Sequence, residues 1–168
     1  IVRADETAAE AGEEGEVRVR GPQLFAGYLD SSLDSAAFDE AGFFRTGDLG
    51  KLDSDGFIVI TGRLKDVIIR KGENISAKEI EDLLHGHPKV AEAAVIGLPD
   101  PASGERCCAV VVSRNKDEPL DFDEMVAFLN ERELMRQKIP EQLELVDSIP
   151  RNASGKILKA RLRERFSN

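Results

Sequence analysis

The chain has 168 residues, 41% of them apolar and 33% charged, and a formal net charge of −9. That is enough apolar chain for one ordinary domain, or for a small domain with part of another. No apolar run approaches the roughly 18 residues that cross a bilayer, no secretory leader pattern opens the chain, and the acidic balance argues against nucleic-acid binding, which leans on basic surface.

A soluble, cytoplasmic protein without a transmembrane segment is therefore expected, and Ile1 in place of a Met start reads as a piece of a longer polypeptide. Cys107 and Cys108 are adjacent, so on a strand they point to opposite faces and cannot bridge each other. No Cys or His spacing suggests zinc. His85 and His87, on either side of Gly86 and just before Pro88, read as a helix end. No metal site is expected.

Residues 1–16 are acidic and rich in Ala and Gly, the composition of a mobile arm with little to bury. Alternation from Glu16 to Arg20 predicts a half-buried strand, ended by Gly21-Pro22. Ser35 to Glu40 predicts one short helical piece. Leu49–Leu52 and Phe57–Ile60 flank Asp53-Ser54-Asp55-Gly56, a β-hairpin signal.

After Gly62 the pattern changes. Val67-Ile68-Ile69 predicts a short buried strand, followed by a polar turn over Lys71-Gly72-Glu73-Asn74. Ser76 and Glu79 have the spacing of a capping box, and Ile80, Leu83 and Leu84 give the helix behind them an apolar face that Gly86 and Pro88 close. Strands are predicted at Val90–Leu98, Arg106–Val112 and Leu143–Val146. Helices are predicted over 122–135, on Phe122, Met125, Val126, Leu129 and Leu134, and over Ile157–Phe166, on Leu158, Leu162 and Phe166. The expected architecture is α+β: a β-rich unit over residues 1–62, a junction at 63–66, and a βαββαβα unit over 67–168.

Four places carry side chains suited to chemistry. Asp48, after Thr46-Gly47, is read as lying in a tight turn before the first hairpin strand. There it either caps the turn or accepts two hydrogen bonds from a cis-diol such as a ribose. Arg63, in Gly62-Arg63-Leu64-Lys65-Asp66, offers a fork of donors to a phosphate or ribose oxygen, or pairs with Asp48 or Asp66. Lys65 sits where a hinge would fall. Lys156, in Pro150-Arg151-Asn152-Ala153-Ser154-Gly155-Lys156, lies on a glycine-bearing loop read as mobile. The Ser-Gly-Lys run is not a Walker loop, because Pro150 and Ile157 occupy the places of its first Gly and its Ser/Thr. Arg151, Lys156, Lys159, Arg161, Arg163 and Arg165 give the tail a basic character that also fits a plain solvated helix.

The succession Gly15–Pro22, Gly27-Tyr28, Phe44–Asp48, Asp55–Phe57, Gly62–Asp66, Lys71–Ile75, Ala77–Glu81 and Pro150–Lys156 resembles the adenylate-forming superfamily. That superfamily comprises acyl- and aryl-CoA ligases, peptide-synthetase adenylation domains and beetle luciferases, and the resemblance covers about Gly15 to Phe166. It implies the β-rich end of a large N-terminal domain followed by the small α+β C-terminal domain, most like that of a fatty- or aryl-acid:CoA ligase. It implies ATP with Mg2+, coenzyme A and a small carboxylic acid as ligands, and an earlier domain, not within these residues, that supplies most of the ATP site and the acyl pocket.

Residue by residue, the resemblance implies that Asp48 holds the ribose hydroxyls and that Arg63 supports the nucleotide. Lys65 would be the hinge and Lys156 the catalytic lysine of adenylation. Lys71, Gly72 and Glu73 would form the turn that faces the pantetheine tunnel, although a left-handed turn would equally explain Gly72. The residues leave three other readings open: a carrier-loading adenylation domain, a non-enzymatic adaptor, and luciferase-like chemistry.

Overall fold

In the computed structural model, which describes residues 1–167, the acidic N-terminal stretch is folded rather than a free arm. Val2 bridges both Ala8 and Glu16. The Glu6 carboxylate accepts from Arg18 at 2.6 and 2.8 Å and from Arg45 at 3.0 Å. Arg18 explains the order. Its side chain is only 5% exposed, and it reaches Glu16 and Asp39 as well. A guanidinium removed from water needs anions around it, so carboxylates that read as solvated are its counter-ions.

The chain divides into two units, Ile1–Lys65 and the part from Asp66 on. In the first, strands β1 (Gly15–Val19), β2 (Phe44–Leu52) and β3 (Ile58–Arg63) form an antiparallel sheet in that order. Helix α1 (Asp34–Ala37) is shorter than the predicted Ser35–Glu40, because Phe38 turns extended and bridges Phe44. Phe25 packs its ring against Phe38, Phe44 and Tyr28. The β2–β3 hairpin turns where predicted. The Asp53 carboxylate accepts from the Asp55 and Phe57 amides at 2.9 and 2.8 Å, and Gly56 supplies φ +83°.

The second unit contains β4 (Val67–Arg70), β5 (Glu73–Ser76), α2 (Ala77–His85), β6 (Val90–Asp100), β7 (Gly104–Ser113), α3 (Phe122–Glu131), β8 (Gln142–Leu145) and α4 (Lys159–Phe166). Its sheet runs β5-β4-β7-β6, with β8 parallel beside β7. Strand β5 is one element more than the predicted βαββαβα. Glu73 and Asn74 belong to it rather than to a four-residue turn, because Lys71 (φ +51°) and Gly72 (φ +82°) alone close the hairpin, with Arg70 opposite Glu73. That pair of angles is a type I′ turn.

Both faces of the sheet are covered, which is why β6 and β7 read as nearly unbroken apolar runs. Cys107, Ala109 and Val111 enter a core with Ile80 and Leu84 of α2 and Met125 and Leu129 of α3. Cys108 and Val110 enter the opposite one, with Ile96, Ile149 and Leu162 of α4. The two cysteines thus face opposite ways, as their adjacency requires. Ser76 caps α2 by accepting from the Glu79 amide at 3.3 Å, and the Glu79 carboxylate holds Lys138 at 2.7 Å. Helix α3 stops at Glu131, before the predicted residue 135; Glu133, at φ +58°, turns Leu134 back under the core. Asn168, the last residue of the expected small domain, lies outside the described residues. Among those residues, no helix is long and apolar enough to cross a membrane.

Candidate active site

Asp48 and Arg63 sit opposite each other on β2 and β3, and Arg63 Nε lies 2.8 Å from Asp48 Oδ1. This corrects the expected placement: Asp48 is inside a strand, not in a turn preceding one. The strand is kinked at that point. Gly47 takes φ +70°, the Thr46 hydroxyl donates to Val17 O at 2.6 Å and accepts from the Asp48 amide at 3.0 Å, and the Gly47 amide donates to Glu16 at 3.2 Å. The kink retains the local tethering of a turn within a ladder. Of the two acidic partners open to Arg63, the structure selects Asp48, while Asp66 is taken by Lys159 and Arg163.

Lys65 lies in the short 3₁₀ turn Leu64–Asp66 and is the residue at which the first unit ends. Lys71 and Gly72 form the tip of the β4–β5 hairpin, with the Lys71 amide held by Ser103 O at 2.7 Å. Lys71 and Glu73, with Arg70, Arg136 and Gln137, line a cavity of about 380 Å³. A Cβ on Gly72 would meet nothing within 4 Å, so only its φ of +82° demands glycine locally.

Lys156 ends a loop that is tied to itself. Arg151 and Ile157 bridge at its base, and Asn152 N donates to Lys156 O at 2.9 Å. The Asn152 side-chain oxygen accepts from the amides of Lys156 at 2.8 Å and Ser154 at 3.1 Å. Gly155 supplies φ +82°, and Arg151 donates to its carbonyl at 2.7 Å while pairing with Glu92 at 2.6 Å. The loop read as mobile is thus bound internally. Lys156 itself is exposed, and among the described residues no hydrogen bond or ion pair engages its ammonium.

Residues 79–156 match the AMP-binding enzyme C-terminal domain. The chain is 45% identical over 154 residues to a medium-chain fatty-acid–CoA ligase of Escherichia coli, covering 91% of this chain and 27% of that protein. It is 45% identical over 157 residues to a 2,3-dihydroxybenzoate-AMP ligase of Bacillus subtilis, covering 93% and 29%. The crystal structure of ATP-bound MatB from Rhodopseudomonas palustris superposes with a TM-score of 0.91 at 37% identity, covering 99% of this chain and 33% of that one. The chain belongs to the adenylate-forming superfamily. It spans under a third of the length of the curated relatives named here.

Asp48 and Arg63 fall in the first unit of this superfamily member; in the second, Lys71 and Gly72 form the hairpin turn, Glu73 opens β5 beside it, and Lys156 lies on a separate loop. Among the described residues, no group of three His, Cys, Asp or Glu side chains could hold a metal ion. One cluster escaped the sequence reading altogether. Lys159 and Arg163, which looked like part of a solvated basic tail, are drawn inward to Asp66 and Glu81. The only signal was that α4 places both cations one turn apart on a single face.

Proposed function

We propose that this chain is the C-terminal part of an ATP-dependent acid:CoA ligase acting on a fatty or aryl acid in the cytoplasm. In this reading residues 1–62 complete a large ATP- and acyl-binding domain, 63–66 are the hinge with Lys65 as pivot, and 67–168 are the mobile small domain. The observation that carries it is Lys156: an unengaged ammonium on a loop whose backbone is fixed by its own hydrogen bonds.

Adenylation brings a carboxylate to the α-phosphate of ATP and expels pyrophosphate. Two anions must meet while charge builds on the phosphoryl oxygens, and a fixed cation relieves both problems. Lys156 is a compact point charge able to bridge carboxylate and phosphate oxygens. Its loop presents it without side-chain partners that must first be broken. Asp48 holds the ribose hydroxyls, with Arg63 orienting its carboxylate. Mg2+ would accompany ATP and temper the charge of its phosphates, and none of the residues assigned here is asked to hold it.

In the second half-reaction a thiol attacks the acyl-adenylate and AMP leaves. Rotation about Lys65 then replaces the Lys156 loop with the Lys71–Gly72 turn and the adjoining Glu73, where Gly72 leaves room for pantetheine. The isolated 168 residues on this account ligate nothing.

A second acceptor, a pantetheinyl carrier protein in place of free CoA, is supported by 42% identity over 160 residues, 95% of this chain and 28% of that protein, to a salicyl-AMP ligase / salicyl-S-ArCP synthetase of Mycobacterium tuberculosis. One experiment separates them. A panel of acids is screened by pyrophosphate exchange with the full-length protein, and AMP release is then measured with and without CoA. CoA-dependent AMP release is expected. Exchange without CoA dependence selects the carrier-loading reading, and no exchange with any acid overturns both.

A further inference from the structure

The second unit holds an ion cluster that the scheme above does not use. Lys159 Nζ lies 2.8 Å from Glu81 Oε1 and 3.5 Å from Asp66 Oδ2, and Arg163 Nη2, one turn along α4, lies 3.6 Å from Asp66 Oδ1. Glu81 also accepts from the Val95 amide at 2.7 Å, which fastens α2 to β6. The Lys159 and Glu81 side chains are only 13% and 17% exposed. Among the described residues, these ion pairs set two cations against two carboxylates. Removing one member leaves a partly desolvated charge uncompensated, unlike a pair in open water.

Its position in the chain gives the cluster a use. Asp66 is the first residue of the second unit, and Lys159 is the first residue of α4, three places after Lys156. Little slack lies between Lys156 and the helix. Leu158 N donates to Pro150 O at 2.8 Å, Ile157 bridges Arg151, and Leu162 is buried one turn on. The Lys71–Gly72 turn is reached from Asp66 by a different route, strand β4, whose ladder to β5 runs from Val67 to Arg70.

We infer that Asp66 and Lys159 are positioning residues for adenylation: their ion pair couples the chain leaving the 63–66 segment to the helix that carries the Lys156 loop. Movement at that segment then reaches the Lys156 ammonium as a rigid-body displacement. This rests on the reading of Lys156 given above. It makes an asymmetric demand, because the half-reaction that uses the Lys71–Gly72 turn does not need the cluster.

The test measures the two half-reactions separately in the full-length enzyme: pyrophosphate exchange for adenylation, and thioester formation from a supplied acyl-adenylate and CoA. A misplacement of about 1 Å costs up to roughly 100-fold, so Asp66→Asn and Lys159→Met are expected to lower exchange about 10- to 100-fold. Thioester formation should stay close to the wild-type rate, and Lys159→Arg, which keeps the charge, should recover most of the exchange. If Lys159→Met does not fold, Asp66→Asn and Lys159→Arg carry the comparison. Lys156→Ala runs alongside. Should Lys156→Ala leave exchange intact, the reading of Lys156 falls and this proposal with it. Should Lys156→Ala abolish exchange while Asp66→Asn lowers both half-reactions equally, or neither, the positioning role alone is overturned.

Discussion

Asp48 and Arg63 are cross-strand partners joined at 2.8 Å, so the two residues assigned to the nucleotide meet each other before any nucleotide arrives. Under the proposed function Arg63 would act on the ribose through the orientation it gives the Asp48 carboxylate. A hydrogen bond to a charged group contributes about 1.5–3 kcal/mol, so Asp48→Asn in the full-length enzyme should raise the KM for ATP by roughly tenfold or more. Arg63→Ala should raise it less. The double variant should be no worse than Asp48→Asn alone, because both changes break one unit. Steady-state kinetics at varied ATP decide it, and additive effects would place Arg63 directly on the nucleotide.

What the sequence disclosed, and what it hid, follows from where partners lie. Strands β6 and β7 were legible because burial on both faces makes them apolar throughout, and α2 was legible because Ser76 and Glu79 mark its start. Strand β5 was hidden because Lys71-Gly72 forms a left-handed two-residue turn without the usual Asn-Gly signal. The fold of residues 1–16 was hidden because their counter-ion, Arg18, looks like any strand arginine until it is buried. The candidate site was readable as an ordered set of motifs. The Asp66–Glu81–Lys159–Arg163 cluster was not, since its members come from segments far apart in the chain.

The N-terminal ion cluster should make the first unit acid-sensitive. Hydrogen bonds from Arg18, and then from Arg45, hold the Glu6 carboxyl at about 2, against an ordinary 4.5. A depressed carboxyl stabilises the fold above its unfolded value and loses that contribution as protons bind to the native state. The contribution is thus complete above about 4.5 and disappears as pH falls towards 2. Tyr28 is the sole tyrosine and there is no tryptophan, so tyrosine fluorescence of the 168-residue chain reports the first unit alone. Urea midpoints read this way should fall more steeply below pH 4.5 in the wild type than in Glu6→Gln; parallel curves would remove Glu6 from the account.

Burial should make both thiols inert. It pushes Cys107 well above the ordinary thiol range and Cys108 up to about 12, and both side chains are fully enclosed. The thiolate is the reactive form, so Ellman's reagent at pH 8 should leave the folded chain unmodified and titrate two thiols in guanidinium chloride. Rapid modification of the native protein would contradict the two-faced packing of β7.

Gly72 has a backbone reason to be glycine and, under the proposed function, a second one, and one pair of substitutions separates them. Its φ of +82° disfavours side chains, yet the space around its missing Cβ is open. Asparagine adopts left-handed angles more readily than other non-glycine residues, so Gly72→Asn should fold with a melting temperature near that of the wild type. Gly72→Ala should melt lower, because alanine lacks that tolerance. If the backbone were the whole reason for glycine, Gly72→Asn would also keep full activity. Under the proposed tunnel role both variants should leave pyrophosphate exchange near normal and slow thioester formation from a supplied acyl-adenylate, with the larger asparagine slowing it more. Full thioester activity in Gly72→Asn would reduce the glycine to a turn requirement and move the thiol's path elsewhere.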